Sequence, residues 1–202
     1  MRQPGSRPSP RAGKAICLAL LGVLTGVIGL DPAHPGCPAG AAAAAGETIE
    51  ARLWGTVRSV PTGTHLVIMT PEMTPLQVRL LGVELPDPPR TAPAALPGQP
   101  FGREAAVYVR ELLTGKQVRF DSYGTDRAGR ILAVVWLGEI SVNLTLIKEG
   151  LAWVDPSVTN GFVRAPLEVA ERQARVAKYG LWALPNPEAP WEYRKRHNLP
   201  AE

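Results

Sequence analysis

Residues 76–83, LQVRLLGV, are the most informative segment for predicting the fold. Its polar Gln77 and Arg79 alternate with apolar neighbours, which is the period of a strand that buries one face. Residues 47–59 and 65–69 precede it as two further stretches rich in β-branched and apolar side chains, separated by a Thr-Gly turn signal. The pattern therefore predicts three consecutive strands.

The sequence after residue 83 predicts a loop, a helix and two more strands. Residues 86–100 contain six prolines, and proline fixes φ and removes an N–H donor, so this segment is a loop. Residues 102–113 carry apolar side chains at helical spacing, and Gly115 follows as a stop signal. Residues 116–123 and 130–137 predict the fourth and fifth strands, joined by a Gly-containing hairpin turn.

Two more helices complete the predicted domain. Ser141 can cap one that runs to about Leu151, and Pro166 would open a last one that Gly180 closes. Five strands with a helix between the third and fourth match an OB-type barrel. The predicted fold class is therefore α+β, a five-stranded OB-type Greek-key β-barrel with about three helices packed on it.

The first 46 residues predict an export signal. A basic start precedes an apolar run at residues 15–30, and small residues at 39–46 offer cleavage sites. An uncleaved anchor is the alternative, although the run is short of the ~20 residues that a membrane span needs. We expect a leader (1–46), a domain (47–184) and a tail (185–202). The location would be periplasmic, extracellular or tethered by the leader, and the mature chain a monomer without a membrane span.

The C-terminal tail is proline-rich and basic. Its residues 194–197 form a basic run beside Trp191 and Tyr193. Such a run can follow a phosphate backbone, with aromatic rings for stacking. The alternative is a solvated charge run, which the ends of chains show more often. Trp182 and Trp191 are predicted to anchor the tail on the barrel.

Net charge alone does not predict a nucleic-acid partner. The formal charge is +4, but residues 1–46 hold four of the basic side chains and one of the acidic ones. The rest of the chain carries 18 basic and 17 acidic side chains. Only a local cluster of cations could bind a polyanion.

Six segments carry a resemblance to a known family: residues 78–87, 102–105, 126–130, 142–152, 170–182 and 190–194. Each is unspecific alone, but their order and spacing along the domain are specific. Together they resemble the thermonuclease (staphylococcal nuclease-like) family. The resemblance implies Ca²⁺-assisted hydrolysis of phosphodiester bonds in DNA or RNA.

The resemblance also implies roles for two arginines. Arg79 and Arg130 match the two family arginines that contact phosphate, a task suited to the planar guanidinium. Each could instead be a structural residue of its strand, and Arg130 could simply fix the hairpin by an ion pair with Asp126. His65 is expected to pack or to be exposed at a strand start.

The acidic half of the family's site is altered in this sequence. Thr64 stands where a metal-binding Asp is expected, and a hydroxyl adds no charge to hold Ca²⁺. Glu84 matches the second metal-binding Asp, and Asp87 matches the catalytic Glu. Each of these two changes moves a carboxylate by roughly 1.5 Å, a displacement that can cost ~10²-fold in rate.

Catalysis is therefore predicted to be weakened, with Glu84 and Thr64 as an incomplete Ca²⁺ site and Asp87 as the base. Whether the chain is an active enzyme stays open. The alternative is a non-catalytic OB-fold module that binds single-stranded nucleic acid or acts as an envelope interaction domain.

Overall fold

The computed structural model describes residues 48–92 and 95–200. The leader predicted for residues 1–46 lies outside these ranges. Over the described ranges, no helix has the length and apolar character that crossing a membrane would require.

The described chain alternates short strands and helices. In chain order these are β1 (Ala51–Thr62), β2 (His65–Met69), β3 (Pro75–Leu80), β4 (Val83–Glu84), α1 (Gly102–Leu113), β5 (Gln117–Thr125), β6 (Ile131–Leu137), β7 (Ile140–Ser141), α2 (Val142–Lys148), β8 (Trp153–Val154), α3 (Gly161–Ala177), a 3₁₀ turn (Gly180–Ala183) and α4 (Pro190–Arg196).

Five of the strands close a barrel. They lie in the order β3-β2-β1-β5-β6, and β3 pairs with β6 in parallel to close it. All the other ladders between these strands are antiparallel. This confirms the predicted α+β class with a five-stranded barrel. The described residues contain four α-helices rather than about three, because part of the tail is helical.

The predicted third strand, residues 76–83, is interrupted at Gly82. That residue has φ 82°, and a Cβ there would lie 2.6 Å from Cδ1 of Leu167. Only glycine suits this left-handed conformation at such close approach. The chain turns here, and Val83–Glu84 pairs with Trp153–Val154 in a separate ladder. The turn moves Glu84 out of the barrel wall and toward the C-terminal half.

The last long helix begins earlier than predicted, so the start at Pro166 is wrong. Asn160 is the N-cap, and its side chain accepts hydrogen bonds from the backbone N–H groups of Phe162 and Val163. These contacts satisfy two of the four donors that a helix start leaves unpaired. Pro166 lies in the second turn, where it removes one backbone hydrogen bond.

The barrel core is apolar and closely covered by the helices. Its fully buried members come from every barrel strand and from α1 and α2, among them Val57, Leu66, Val78, Phe120, Val135, Val109 and Leu146. Asn143 is the polar exception on α2. Its side chain accepts from Val135 N at 2.9 Å and donates to Leu81 O at 2.7 Å and Ala133 O at 3.3 Å. Asn143 thereby ties α2 to the segment that carries Gly82.

A second, smaller cluster anchors the tail. Trp153 contacts the ring of Trp182 edge-on at a centroid distance of 4.4 Å and that of Trp191 at 5.8 Å. Trp191 of the tail and Trp182 just before it therefore pack on the domain, as the sequence predicts. The tail continues as α4, which lies against the segment around Glu84.

Candidate active site

Arg79 lies near the end of β3 and faces the predicted site. It pairs in register with His65 of β2 and with Leu132 of β6. Its guanidinium forms an ion pair with Glu84, and its side chain is 12% exposed. The chain turns at Gly82, and this turn brings the Glu84 carboxylate back against Arg79 of β3.

Arg130 lies immediately before β6, on the same side of the barrel. Its Nη1 atom is 2.6 Å from Nε2 of His65, the residue that pairs with Arg79. His65 therefore connects the two arginines, and the structure brings both to one region. His65 is packed rather than fully exposed, in keeping with one of the two expectations for it.

The alternative role of Arg130 is also present in the structure. Arg130 Nε donates to Asp126 Oδ2 at 2.6 Å, while the N–H groups of Ala128 and Arg130 donate to Asp126 Oδ1. Burial pushes the pKa of Asp126 upward, but these backbone and guanidinium hydrogen bonds outweigh it and hold the pKa below its ordinary value. Asp126 thus stays ionised and fixes the hairpin, whereas phosphate contact by Arg130 stays a prediction.

Glu84 and Asp87 lie together, and a third arginine lies between them. Arg194 of α4 donates from Nη2 to Glu84 Oε2 at 2.7 Å and from Nη1 to Asp87 Oδ2 at 3.2 Å. Arg90 Nη2 donates to Asp87 Oδ1 at 2.8 Å, and Arg79 Nη2 donates to Glu84 Oε1. Each of the four carboxylate oxygens therefore contacts a guanidinium.

Burial of the carboxylates has an electrostatic consequence at Glu84. Desolvation raises the pKa of this carboxyl above its ordinary value, although Arg194 and Arg79 act in the opposite direction. Asp155 lies near enough to add to the increase. The arginines are therefore what makes an ionised Glu84 tolerable in this position.

The interpretation of residues 194–197 as a solvated run is wrong for Arg194. Arg194 is 5% exposed, whereas Lys195 and Arg196 on the same helix face solvent. The basic run has helical periodicity, and one of its members points into the domain. Sequence reasoning missed this role because nothing near Arg194 in the chain indicates acidic partners.

Gln99 is a second residue that sequence reasoning missed. Its Oε1 accepts from the N–H of Asp87 at 2.9 Å, its own N–H donates to Asp87 O at 2.8 Å, and its Nε2 donates to Glu188 O at 2.8 Å. Gln99 is buried and holds the Asp87 loop to the tail. Its position at the end of the proline-rich loop gave no signal of this.

Thr64 also lies at the site. It is 1% exposed, its carbonyl accepts from Leu80 N–H at 2.9 Å, and it lines a small cavity together with Asp87. The structure therefore brings Thr64 next to the predicted base. All five predicted site residues converge on one end of the barrel.

The donors at this site do not fit Ca²⁺. Calcium takes 6–8 oxygen ligands, and its affinity depends on the charge that they supply. Here the negative charge of Glu84 and Asp87 is balanced by three arginines, and Thr64 contributes none. Across the described part of the chain, no three His, Cys, Asp or Glu side chains are grouped so that they could hold a metal. The Ca²⁺ site implied by the resemblance is not formed by these side chains.

A cleft of about 360 Å³ opens beside Arg79. Its lining includes Arg79, Tyr123, Asp126, Arg127, Leu132 and Asp155. Arg127 is exposed at the cleft, whereas Glu84 and Asp87 are 4% and 2% exposed. Arg79, Arg127 and Arg130 thus face solvent more than Glu84 and Asp87 do, whereas Arg194 is buried with the two carboxylates.

Three known proteins show how far the similarity of this chain to others extends. It is 38% identical over 108 residues to the thermonuclease of Staphylococcus hyicus, across 52% of this chain and 62% of that protein. It is 34% identical over 142 residues to a probable endonuclease, lcl3, of Pyrenophora tritici-repentis, across 61% and 51%. It is 33% identical over 119 residues to staphylococcal-like nuclease CAN1 of Arabidopsis thaliana, across 59% and 33%.

The chain thus spans about a third to three fifths of the length of these relatives. The model of the family described as staphylococcal nuclease homologue matches residues 77–184, from β3 through the 3₁₀ turn. More than half of the chain is covered by that match, and it contains Arg79, Glu84, Asp87 and Arg130. The chain belongs to the staphylococcal nuclease homologue family.

Proposed function

We propose that this domain binds a nucleic-acid strand by its phosphates at the Arg79 cleft, and that Ca²⁺-dependent hydrolysis there is strongly reduced. The observation that carries the proposal is the contact of all four oxygens of Glu84 and Asp87 with arginines of the chain itself. The relatives are named as nucleases, which supports a nucleic-acid ligand.

Phosphate binding would use the cations that reach solvent. Arg79 and Arg130 have side chains that are 12% and 21% exposed, and Arg127 is exposed at the cleft. Guanidinium groups match phosphate oxygens in a two-point contact. Asp126 and Asp155 also line the cleft, so its net charge is small. Binding is therefore expected to be modest and sensitive to salt.

Hydrolysis would need a base that can take a proton from water. Asp87 is the matched residue, but it is buried and bound by Arg90 and Arg194. Its two oxygens accept from Arg90 Nη2 and Arg194 Nη1, so neither is open to a water molecule. A general base must reach the proton that it removes. Asp87 does not meet this condition while Arg90 and Arg194 occupy its oxygens.

The first experiment measures cleavage of single-stranded DNA and RNA with millimolar Ca²⁺ or with chelator. The native chain is compared with a variant that carries Thr64→Asp, Glu84→Asp and Asp87→Glu. We expect little Ca²⁺-dependent cleavage by the native chain and a clear gain in the triple variant, since it restores a third carboxylate and both original lengths. Rapid cleavage by the native chain, abolished by chelator, would show that the arginines do not disable the site.

The second experiment measures binding to the same strands in chelator across a range of salt concentrations. Contacts with two phosphates predict a slope of about −1.4 in log affinity against log salt. An affinity that does not change with salt would contradict phosphate binding, whatever the cleavage assay shows.

Export is a further part of this proposal and rests on the pattern of residues 1–46 alone. The monomeric state is proposed with it. Export is tested by sequencing the N-terminus of the chain recovered outside the cytoplasm. The monomeric state is tested by the elution volume of that chain in gel filtration. A chain retained in the cytoplasm with an intact N-terminus would contradict export.

A further inference from the structure

An apolar groove adjoins the cleft, between the outer face of β6 and the first turn of α3. Its volume is about 220 Å³, and the side chains that shape it include Tyr123, Val134, Trp136, Leu144, Phe162 and Val163. Complete small-molecule sites commonly have ~300–1,000 Å³. The groove is therefore of a size for one ring system rather than for a whole ligand of that kind.

Phe162 stands at the rim of this groove. Its side chain is 79% exposed, whereas its neighbour Val163 is 6% exposed and packs into the core. The backbone at Phe162 is fixed, since Asn160 caps the helix through the N–H groups of both residues. A large apolar ring is thus held in solvent on a rigid element.

Trp136 provides a second ring in the groove, and its orientation is fixed. Its indole N–H donates to Asp121 Oδ2 at 3.0 Å. The guanidinium carbon of Arg119 lies 4.7 Å from the ring centroid, within the range of a cation–π contact. Asp121 is in turn held by Arg52 at 2.9 Å. The ring is therefore held in place at the groove, with the cation of Arg119 over it.

Tyr123 connects the groove with the cleft. It lines both the cavity that contains Arg79 and the groove that contains Trp136 and Phe162. A ligand that places an anionic group at Arg79 can therefore extend past Tyr123 into an aromatic environment. A nucleotide has this combination of a charged phosphate and a flat base.

We propose that the groove formed by Tyr123, Trp136 and Phe162 receives a nucleobase of the strand whose phosphate lies at the Arg79 cleft. The inference rests on the proposed phosphate binding and adds a base-stacking subsite to it. Stacking on aromatic side chains needs an unpaired base, so the subsite selects single strands over duplexes. Because every base has a flat face, it tolerates different sequences.

The test uses a labelled oligodeoxythymidylate of about eight nucleotides, within the length range that one OB-type domain covers. A second oligonucleotide has the same backbone with abasic residues. Binding is measured by fluorescence anisotropy in chelator, so no cleavage interferes. The proteins are the native chain, Phe162→Ala, Phe162→Trp, and Val176→Ala as the control. Val176 lies on the same helix and is 86% exposed.

We expect the native chain to prefer the base-bearing strand by about fivefold or more, the low end of what a stacking aromatic contributes. Phe162→Ala should lose this preference, while Phe162→Trp and Val176→Ala keep it. If the native chain binds both strands equally and with salt dependence, the phosphate proposal stands and the base subsite is wrong.

Three other outcomes would contradict the proposed base subsite. A preference that survives Phe162→Ala would overturn the assignment of the groove. Binding of neither strand by the native chain would reject the phosphate proposal and the base subsite together. If Phe162→Ala instead changes the elution volume in gel filtration and leaves the base preference intact, the groove is an interface between copies of the chain.

Discussion

Replacing Arg194 by methionine tests whether this side chain neutralises the carboxylates of the site. The substitution keeps an apolar stem of similar length and removes two charged hydrogen bonds, to Glu84 at 2.7 Å and to Asp87 at 3.2 Å. Removing one partner of a buried ion pair costs ~3–5 kcal/mol when the other charge is left alone. Here Arg79 and Arg90 stay in place.

Because each carboxylate keeps one partner, we expect a smaller loss, about 2–4 kcal/mol in the free energy of unfolding. In a domain of this size that loss lowers the Tm by roughly 4–16 °C. Thermal unfolding followed by circular dichroism at neutral pH measures it. Arg196→Met is the matched control on the same helix, since Arg196 pairs with Glu188 in solvent, where ion pairs contribute little.

The pH dependence gives the prediction a second readout. Arg194 lowers the pKa of Glu84, so its removal raises that pKa further above the ordinary value of 4.5. At pH values between about 4.5 and the raised pKa, Glu84 is protonated in the folded variant, whereas in the unfolded chain it has released its proton. Its stability therefore falls as the pH rises from about 4.5 through the raised pKa.

The difference in Tm between the native chain and Arg194→Met should thus be smallest in acid and grow toward neutral pH. Equal Tm values for Arg194→Met and Arg196→Met would refute the reasoning. So would a difference in Tm that is the same at every pH, because it would show that packing rather than charge stabilises this contact.

Three further predictions concern binding, the backbone near Asp87 and the core. Arg79→Ala should reduce the salt slope of oligonucleotide binding by about 0.7, the contribution of one phosphate contact on a single strand, while an unchanged slope would remove Arg79 from the interface. Gly102→Ala places a Cβ 2.3 Å from the carbonyl oxygen of Asp87 and should lower the Tm. Gly161→Ala places a Cβ with no atom within 4 Å and should raise the Tm slightly. A higher Tm for Gly102→Ala than for Gly161→Ala would contradict the packing. Asn143→Ala deletes three buried hydrogen bonds and should cost about 2–4 kcal/mol in urea unfolding, and a loss below about 1 kcal/mol would show that α2 does not depend on them.

Much of the fold could be predicted from local patterns. The alternation in residues 76–80 reports a strand with one buried face, and the spacing in Gly102–Leu113 reports a helix, since each depends on near neighbours. The predicted start of α3 is wrong because two sequence signals for a helix start lie close together. Pro166 indicated a helix start, but the cap at Asn160 satisfies more donors and sets the start at Gly161.

Five members of the candidate site could be predicted, but Arg194, Gln99 and the contacts within the site could not. The resemblance selected Thr64, Arg79, Glu84, Asp87 and Arg130, and the structure places them at one end of the barrel. Their proposed roles stay predictions. The ion pair of Arg130 with Asp126 was recognised as an alternative because it joins residues four positions apart.

The order of the five barrel strands and of α1, α2 and α3, the resemblance to the family and the shortage of carboxylates at the site can be read from local patterns in the chain. What holds the remaining two carboxylates is visible only in the folded domain. Arg194 is separated from Glu84 by 110 positions and from Asp87 by 107. It reaches both because Trp182 and Trp191 pack around Trp153 and hold α4 against the barrel. A contact of this kind leaves no periodicity in the chain, because it depends on how separate elements dock and not on the residues beside it.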